Sequence, residues 1–301
     1  MTHKPFARIG LLLLFTLLVP LGVIAAPNAR QEAPPTPTPP PTPPPVSLPL
    51  LLKAPRFAYP EHILIPAGTF LMGCDEAHSA GFICYDGALP LHTVYLDAYL
   101  IDTTEVTNAE YAACVGANKC DPPVHTYSSQ RYEYYDNPLY ANYPVLWVSW
   151  YMADEYCTWA RGSLPTEAQW EKAARGNLDT RPYPWGDQLP DCTLANILIP
   201  ATGCGYDTVE VGSYPNGASL YGVLDMSGNV IEWASDWRDY DYYSVSPYEN
   251  PTGPLYGEYK VLRGGSWVND ADRARIDYRT GDYPYYVWNN VGFRCAYPVT
   301  P

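Results

Sequence analysis

Charge is scarce in this chain. Only 17% of its 301 residues are charged, and cations are the scarcer kind: 18 Lys and Arg against 32 Asp and Glu, a formal net charge of −14. That balance argues against nucleic acid or an anionic lipid surface as a partner, because phosphates are repelled. It is compatible with bound cations such as Ca²⁺, and equally with a plain solubilising surface. Histidine is nearly missing, with five copies, and only His78 lies close to cysteines, between Cys74 and Cys84. With no Cys-x-x-Cys pair either, a zinc site has little to be built from. There is no Gly-x-Ser-x-Gly elbow and no Walker loop, so the signals of those hydrolase and nucleotide chemistries are missing. No internal repeat is visible.

What is present is apolar and aromatic: 47% hydrophobic residues, with 28 Tyr and 9 Trp. The N-terminus has the layout of an export signal, residues 1–26. Lys4 and Arg8 form a basic start, Leu11 to Ala26 an apolar stretch broken by Pro20, and Val23-Ile24-Ala25 a cleavage site, with Ala29 as a second candidate. A retained membrane anchor is the alternative, but the apolar run is short against the ~20 residues a span needs, which favours cleavage. No cysteine follows the run, so a lipid-anchored form is not expected. Residues 27–59 read as a linker, dominated by Pro34 to Pro45, which favours an extended polyproline spacer or a plain disordered tail. Within it, Val46 to Leu52 is a short apolar run that can dock onto the domain that follows, residues 60–299. Any membrane or wall proximity would come through this N-terminal segment.

Eight cysteines in an exported chain imply disulfides and a secreted or extracytoplasmic setting. Local spacing proposes Cys74–Cys84, Cys114–Cys120 and Cys192–Cys204, and leaves Cys157 and Cys295 far apart in sequence.

Three helix starts are legible. Thr107 with Glu110 and Thr166 with Gln169 form capping boxes, and Ser149 caps a helix over Trp150–Ala160 with apolar residues at helical spacing. Short strands fit at Ile63–Ile65, Thr93–Leu96, Tyr99–Asp102 and Val261–Arg263. The rest is loops and turns. The expectation is an irregular, loop-rich α+β domain with little regular secondary structure.

A string of motifs runs in order along that domain. It opens with Ile65-Pro66-Ala67-Gly68-Thr69-Phe70-Leu71-Met72-Gly73 and Asp102-Thr103-Thr104-Glu105-Val106-Thr107-Asn108. Leu164-Pro165-Thr166-Glu167-Ala168-Gln169-Trp170-Glu171 and Pro184-Trp185-Gly186 follow. Then come Gly228-Asn229-Val230-Ile231-Glu232-Trp233 and Leu262-Arg263-Gly264-Gly265-Ser266-Trp267, and Gly292-Phe293-Arg294-Cys295 closes it. Each alone is weak and has a structural explanation in turns and buried tryptophans, among them Trp147, Trp150, Trp185, Trp233 and Trp267. Together they resemble the formylglycine-generating-enzyme, or sulfatase-modifying-factor, family, which implies its C-type-lectin-like fold.

The resemblance implies more. It pairs Cys157 with Cys295. It implies structural Ca²⁺, with Glu232 as carboxylate and Asn229 and Val230 beside it, and a second set at Asn196 and Ile197 with Asp207 as its acidic member; hard cations take such oxygens. Family enzymes oxidise a substrate cysteine with O₂ at a copper held by two thiolates, ligands that suit Cu(I). Those cysteines lie between the Arg-Gly-Gly-Ser and Gly-Phe-Arg-Cys motifs. Here that interval contains neither Cys nor His, and the two positions fall near Ala271 and Ile276. Copper is therefore not expected. Arg279 does match an arginine of that segment. The same interval is rich in residues typical of recognition surfaces, with Arg279, Tyr283, Tyr285, Tyr286 and Trp288 as the candidates. The expected function is an extracellular recognition module for a protein, peptide or glycan, without the copper oxidase activity. The rivals are a formylglycine-generating oxidase with a rearranged site and a scaffold partner of secreted enzymes.

Overall fold

The computed structural model describes residues 61–177, 179–199 and 204–299. The export segment and the linker, with Val46 to Leu52, lie outside the described residues. Strands β1 (His62–Ile65), β2 (Gly68–Met72), β3 (His92–Leu96) and β4 (Tyr99–Asp102) come first, followed by helices α1 (Asn108–Gly116), α2 (Trp150–Trp159) and α3 (Glu167–Arg175). Strands β5 (Ile231–Trp237), β6 (Lys260–Arg263), β7 (Arg279–Asp282), β8 (Val291–Gly292) and β9 (Ala296–Pro298) complete the order. Among the described residues no helix is long and apolar enough to cross a membrane.

The three helices start where their caps require. At α1, Thr107 Oγ1 accepts from Glu110 N while Glu110 Oε2 accepts from Thr107 N at 2.9 Å, so two orphan donors are satisfied reciprocally. Thr166 and Gln169 repeat the arrangement at α3, and Ser149 Oγ accepts from Met152 N at α2. The four expected strands are also found, each within one residue of its expected ends. β5 escaped sequence reading because five of its seven residues are buried, so it shows no sustained alternation of apolar and polar residues.

The strands form three small sheets: β1-β4-β9, the hairpin β2-β3, and β7-β6-β5-β8, in which β5 and β8 run parallel. Phe70 and Met72 of β2 and Val94 and Leu96 of β3 turn inward and pack with Trp170, Ala173 and Ala174 of α3. A second apolar cluster joins α1 and α2 to the C-terminal strands through Tyr111, Val148, Trp233 and Phe293. Trp233 and Trp267 are buried as expected. Trp147, Trp150 and Trp185 are only partly buried, so they line the rim of the domain instead of its core.

α3 is also buried on its polar side. Glu167, Glu171 and Arg175 recur every four residues and therefore share one face. Glu167 receives Arg263 Nη1 at 2.9 Å and Arg279 Nη2 at 2.6 Å, while Glu171 accepts from Gly73 N, Arg175 and Arg263. Charges this deep persist only when paired and hydrogen-bonded. Here the pairs fasten loops that have little secondary structure of their own.

All eight cysteines are bridged: Cys74–Cys84, Cys114–Cys120, Cys157–Cys295 and Cys192–Cys204, with Cα separations of 5.7, 5.4, 5.5 and 5.9 Å. The three local pairs are those that spacing suggested, and the long one is that implied by the resemblance.

Candidate functional site

The connection from β6 to β7 contains Ala271 and Ile276, near which the family resemblance puts the two thiolates of the copper enzymes. Ile276 is fully buried in the same apolar cluster as Trp170 and Met226; its N–H donates to Pro182 O and its carbonyl accepts from Arg263 Nη2. Ala271 packs with Ala195 and Ile197, and its carbonyl accepts from Tyr183 OH. Both side chains are apolar, Ile276 fully buried and Ala271 partly so, and neither offers a donor to a metal. Arg279 anchors this segment. That arginine is buried, forks onto Glu167 through Nε and Nη2, and donates Nη1 to Gly87 O. This corrects the expectation that Arg279 belongs to a ligand-binding surface: it is a core brace.

The calcium expectation can be tested on the oxygen atoms themselves. Glu232 is buried, and its two oxygens accept from Arg294 Nη2 and Nε, both at 2.7 Å, and from Trp170 Nε1 at 2.8 Å. A guanidinium and an indole N–H already occupy the directions a cation would need, so Glu232 does not fit the role. Asn229 is likewise engaged: its Oδ1 accepts from Asn196 Nδ2 and Val209 N. Val230 is buried among Tyr134 and Leu146. At the second set, Asp207 Oδ1 accepts from Thr208 N, while Oδ2 accepts from Ser128 and Gln130 and faces Arg131 at 2.8 Å. Asn196 donates its amide to Asp207 O. This set differs in one respect. Arg131 is partly exposed and stands with Asn196 and Asp207 on one cleft.

Near Glu232 lies a carboxylate that sequence reading did not single out. Glu105 is buried, and neither oxygen has a hydrogen-bond partner among the described residues. Burial, then the nearby Asp225, holds its carboxyl well above the usual range, and burial raises Asp225 as well.

The aromatic candidates do reach solvent. Tyr285 is 61% exposed, Trp288 44% and Tyr286 40%, with Tyr283 half-buried beneath them. Their rings touch in sequence: Tyr283 to Tyr285 at 5.4 Å, Tyr285 to Tyr286 at 5.0 Å, Tyr286 to Trp288 at 6.0 Å. Two carboxylates pin the cluster. Tyr283 OH donates to Glu258, and Trp288 Nε1 donates to Asp282. Below the surface, Lys260 Nζ lies between the rings of Trp150 and Trp237, at 3.9 and 4.0 Å, and burial brings its pKa down to about 8. Glu258 went unnoticed in the sequence because it lies 25 residues from Tyr283 and no motif links them.

Comparison with known proteins agrees with this architecture. A family profile, that of the sulfatase-modifying factor enzyme 1-like domain, matches residues 48–299, beginning inside the stretch read as linker. The formylglycine-generating enzyme of Streptomyces coelicolor is 36% identical over 282 residues, covering 78% of this chain and 88% of that one. A serine/threonine-protein kinase pkn1 of Chlamydia caviae is 35% identical over 259 residues; this chain spans only 38% of its length. Among solved structures, PvdO from Pseudomonas aeruginosa superposes with a TM-score of 0.65 at 26% identity, covering 79% of this chain and 94% of PvdO.

Proposed function

The chain belongs to the sulfatase-modifying factor enzyme 1-like family, and we propose that it is an extracytoplasmic recognition module of that family without copper oxidase activity. One observation carries the reading: the interval from Trp267 to Val291 has no cysteine or histidine, and Ala271 and Ile276, near which the family resemblance puts the two thiolates, are apolar. Copper chemistry of that kind needs two soft ligands on one ion. The cysteines elsewhere in the chain are in disulfides, which also supports an oxidising compartment outside the cytoplasm, reached by the export signal. Positive support for recognition comes from the exposed Tyr-Trp cluster on a disulfide-fastened scaffold. The ligand class is a protein, peptide or glycan outside the cell.

One rival has an observation in its favour. Arg275 Nη1 lies 3.6 Å from Cys74 Sγ, and Arg275 Nη2 donates to Ile83 O, so the Cys74–Cys84 bridge rests against the β6–β7 connection. If that bridge were reduced, its thiolates would lie next to the segment that bears the metal in the oxidases. A Cu(I) titration of the purified chain, with and without prior reduction, separates the two readings. No stoichiometric copper uptake in either state supports the recognition module. Uptake after reduction, with oxidation of a cysteine peptide, supports a rearranged oxidase.

For calcium we propose the Asn196, Ile197 and Asp207 set alone, with Arg131 as the group it displaces.

A further inference from the structure

The exposed aromatic cluster continues beyond the β7–β8 connection. At one end Tyr259 packs on Tyr283, ring centroids 4.7 Å apart. At the other, Trp147 N–H donates to Trp288 O, which lays the loop before α2 alongside Trp288. Trp147 then contacts Tyr127 at 5.0 Å and His125 at 4.6 Å. Rings from four separate stretches of chain thus lie along this face, the Trp147 and Trp288 stretches joined by that backbone hydrogen bond.

Two features of this row go beyond an aromatic surface in general. The first is charge. Glu258 and Asp282 are set among the rings, and among the described residues no Lys, Arg or His forms an ion pair with either. The nearby Lys260 turns inward to its indoles and donates to Ser235 O. The row is therefore anionic, on a chain of net charge −14. The second is strain. Trp147 has φ of +61°, a left-handed backbone that a bulky side chain rarely adopts. Glycine or asparagine would hold that turn more cheaply. The tryptophan there sets its ring against Tyr127 and His125 and donates Nε1 to Tyr127 O, contacts that glycine or asparagine would not make.

We propose that this face docks a Lys- and Arg-bearing segment of another protein, the ring faces taking the cations and Glu258 and Asp282 neutralising them. This rests on the recognition reading above and names its ligand chemistry. Cations are attracted to aromatic faces, Trp and Tyr above all, and a carboxylate at the ring edge adds to that attraction. A face that draws rings from four stretches of chain suits an extended segment better than a single small cation. A glycan would use the same rings but gains nothing from two unpaired carboxylates.

The test is a binding titration of the full chain with a labelled peptide of alternating Lys and Gly, its Glu-Gly counterpart, and cellohexaose. The Lys-Gly peptide is expected to bind and the Glu-Gly peptide not, with binding that weakens as salt is raised. Glu258→Gln with Asp282→Asn, which preserves shape, should weaken it about tenfold or more, as should Tyr285→Ala with Trp288→Ala. Equal binding by the charge-removed variant would overturn the inference by reducing it to bulk net charge. Binding of neither probe would overturn it as well. Cellohexaose binding lost with Tyr285 and Trp288, beside an inert Lys-Gly peptide, would overturn it while leaving the recognition reading intact. That broader reading fails separately, on copper-dependent turnover.

Discussion

Arg294 and Glu232 meet in a two-pronged pair, Nε to Oε2 and Nη2 to Oε1, both at 2.7 Å, with neither side chain more than 1% exposed. The arginine of the closing Gly-Phe-Arg-Cys motif thus lies against the glutamate of the Gly-Asn-Val-Ile-Glu-Trp motif, and Trp170 donates a third bond to the same carboxylate. Two stretches of the family signature are one buried salt bridge.

Removing one partner leaves the other charged and buried. Glu232→Gln or Arg294→Met should cost about 3–5 kcal/mol of stability. Urea denaturation at neutral pH measures it. A loss below about 1 kcal/mol would mean the pair does not brace the core.

Cys157 and Cys295 lie 138 residues apart in sequence with Cα atoms 5.5 Å apart, fastening α2 to the C-terminal end of the chain. A bridge closing so long a loop is worth about 4–5 kcal/mol on the chain-entropy estimate. The double Ser variant should lose most of that in the same denaturation experiment. The corresponding change at Cys114 and Cys120, whose loop is far shorter, should cost less. An equal loss at both would contradict the loop-length account.

How much of this was legible follows from sequence distance. The capping boxes at Thr107 and Thr166 involve residues three apart, so the sequence displays them whole. The Tyr283–Trp288 cluster was legible for the same reason. Glu167, by contrast, is held by Arg279 across 112 residues, and composition alone placed that arginine on a surface. The motif glutamate Glu232 was read as a metal ligand from the family resemblance, and its partner Arg294, 62 residues away, could not be seen from the motif. The junction of Trp147 with Trp288 could not be foreseen either, since it rests on one backbone hydrogen bond between distant loops.

Asp236 gives the pH dependence a sign. It is buried, accepts from Glu167 N and Ser235 Oγ, and burial followed by the Glu167 charge pushes its carboxyl up to about 7. Between about pH 4, the ordinary carboxylate range, and pH 7 the folded protein holds a proton that the unfolded chain has released. Stability contributed by this group is therefore full at low pH and lost as pH rises through that window, by up to about 1.4 kcal/mol per unit. Asp236→Asn should flatten the fall and exceed the wild type at pH 8. A variant that is less stable at pH 8 and keeps the slope would assign the titration elsewhere.

Calcium at the Asn196 set would compete with Arg131 for Asp207. Added Ca²⁺ should raise the melting temperature by mass action, and Asp207→Asn should abolish the rise. Arg131→Ala should strengthen calcium binding, because it removes the competing cation. Melting curves identical in calcium and in chelator, for the wild type and Arg131→Ala alike, would remove calcium from the account.

The central claim is that this member of the family lacks the copper oxidase chemistry. The direct measurement is mass spectrometry of a sulfatase-type cysteine peptide incubated with the purified chain, copper and O₂, alongside the Streptomyces coelicolor enzyme as the active control. The peptide should come back unchanged from this chain while the control converts it to formylglycine. Copper- and O₂-dependent conversion by this chain would contradict the account.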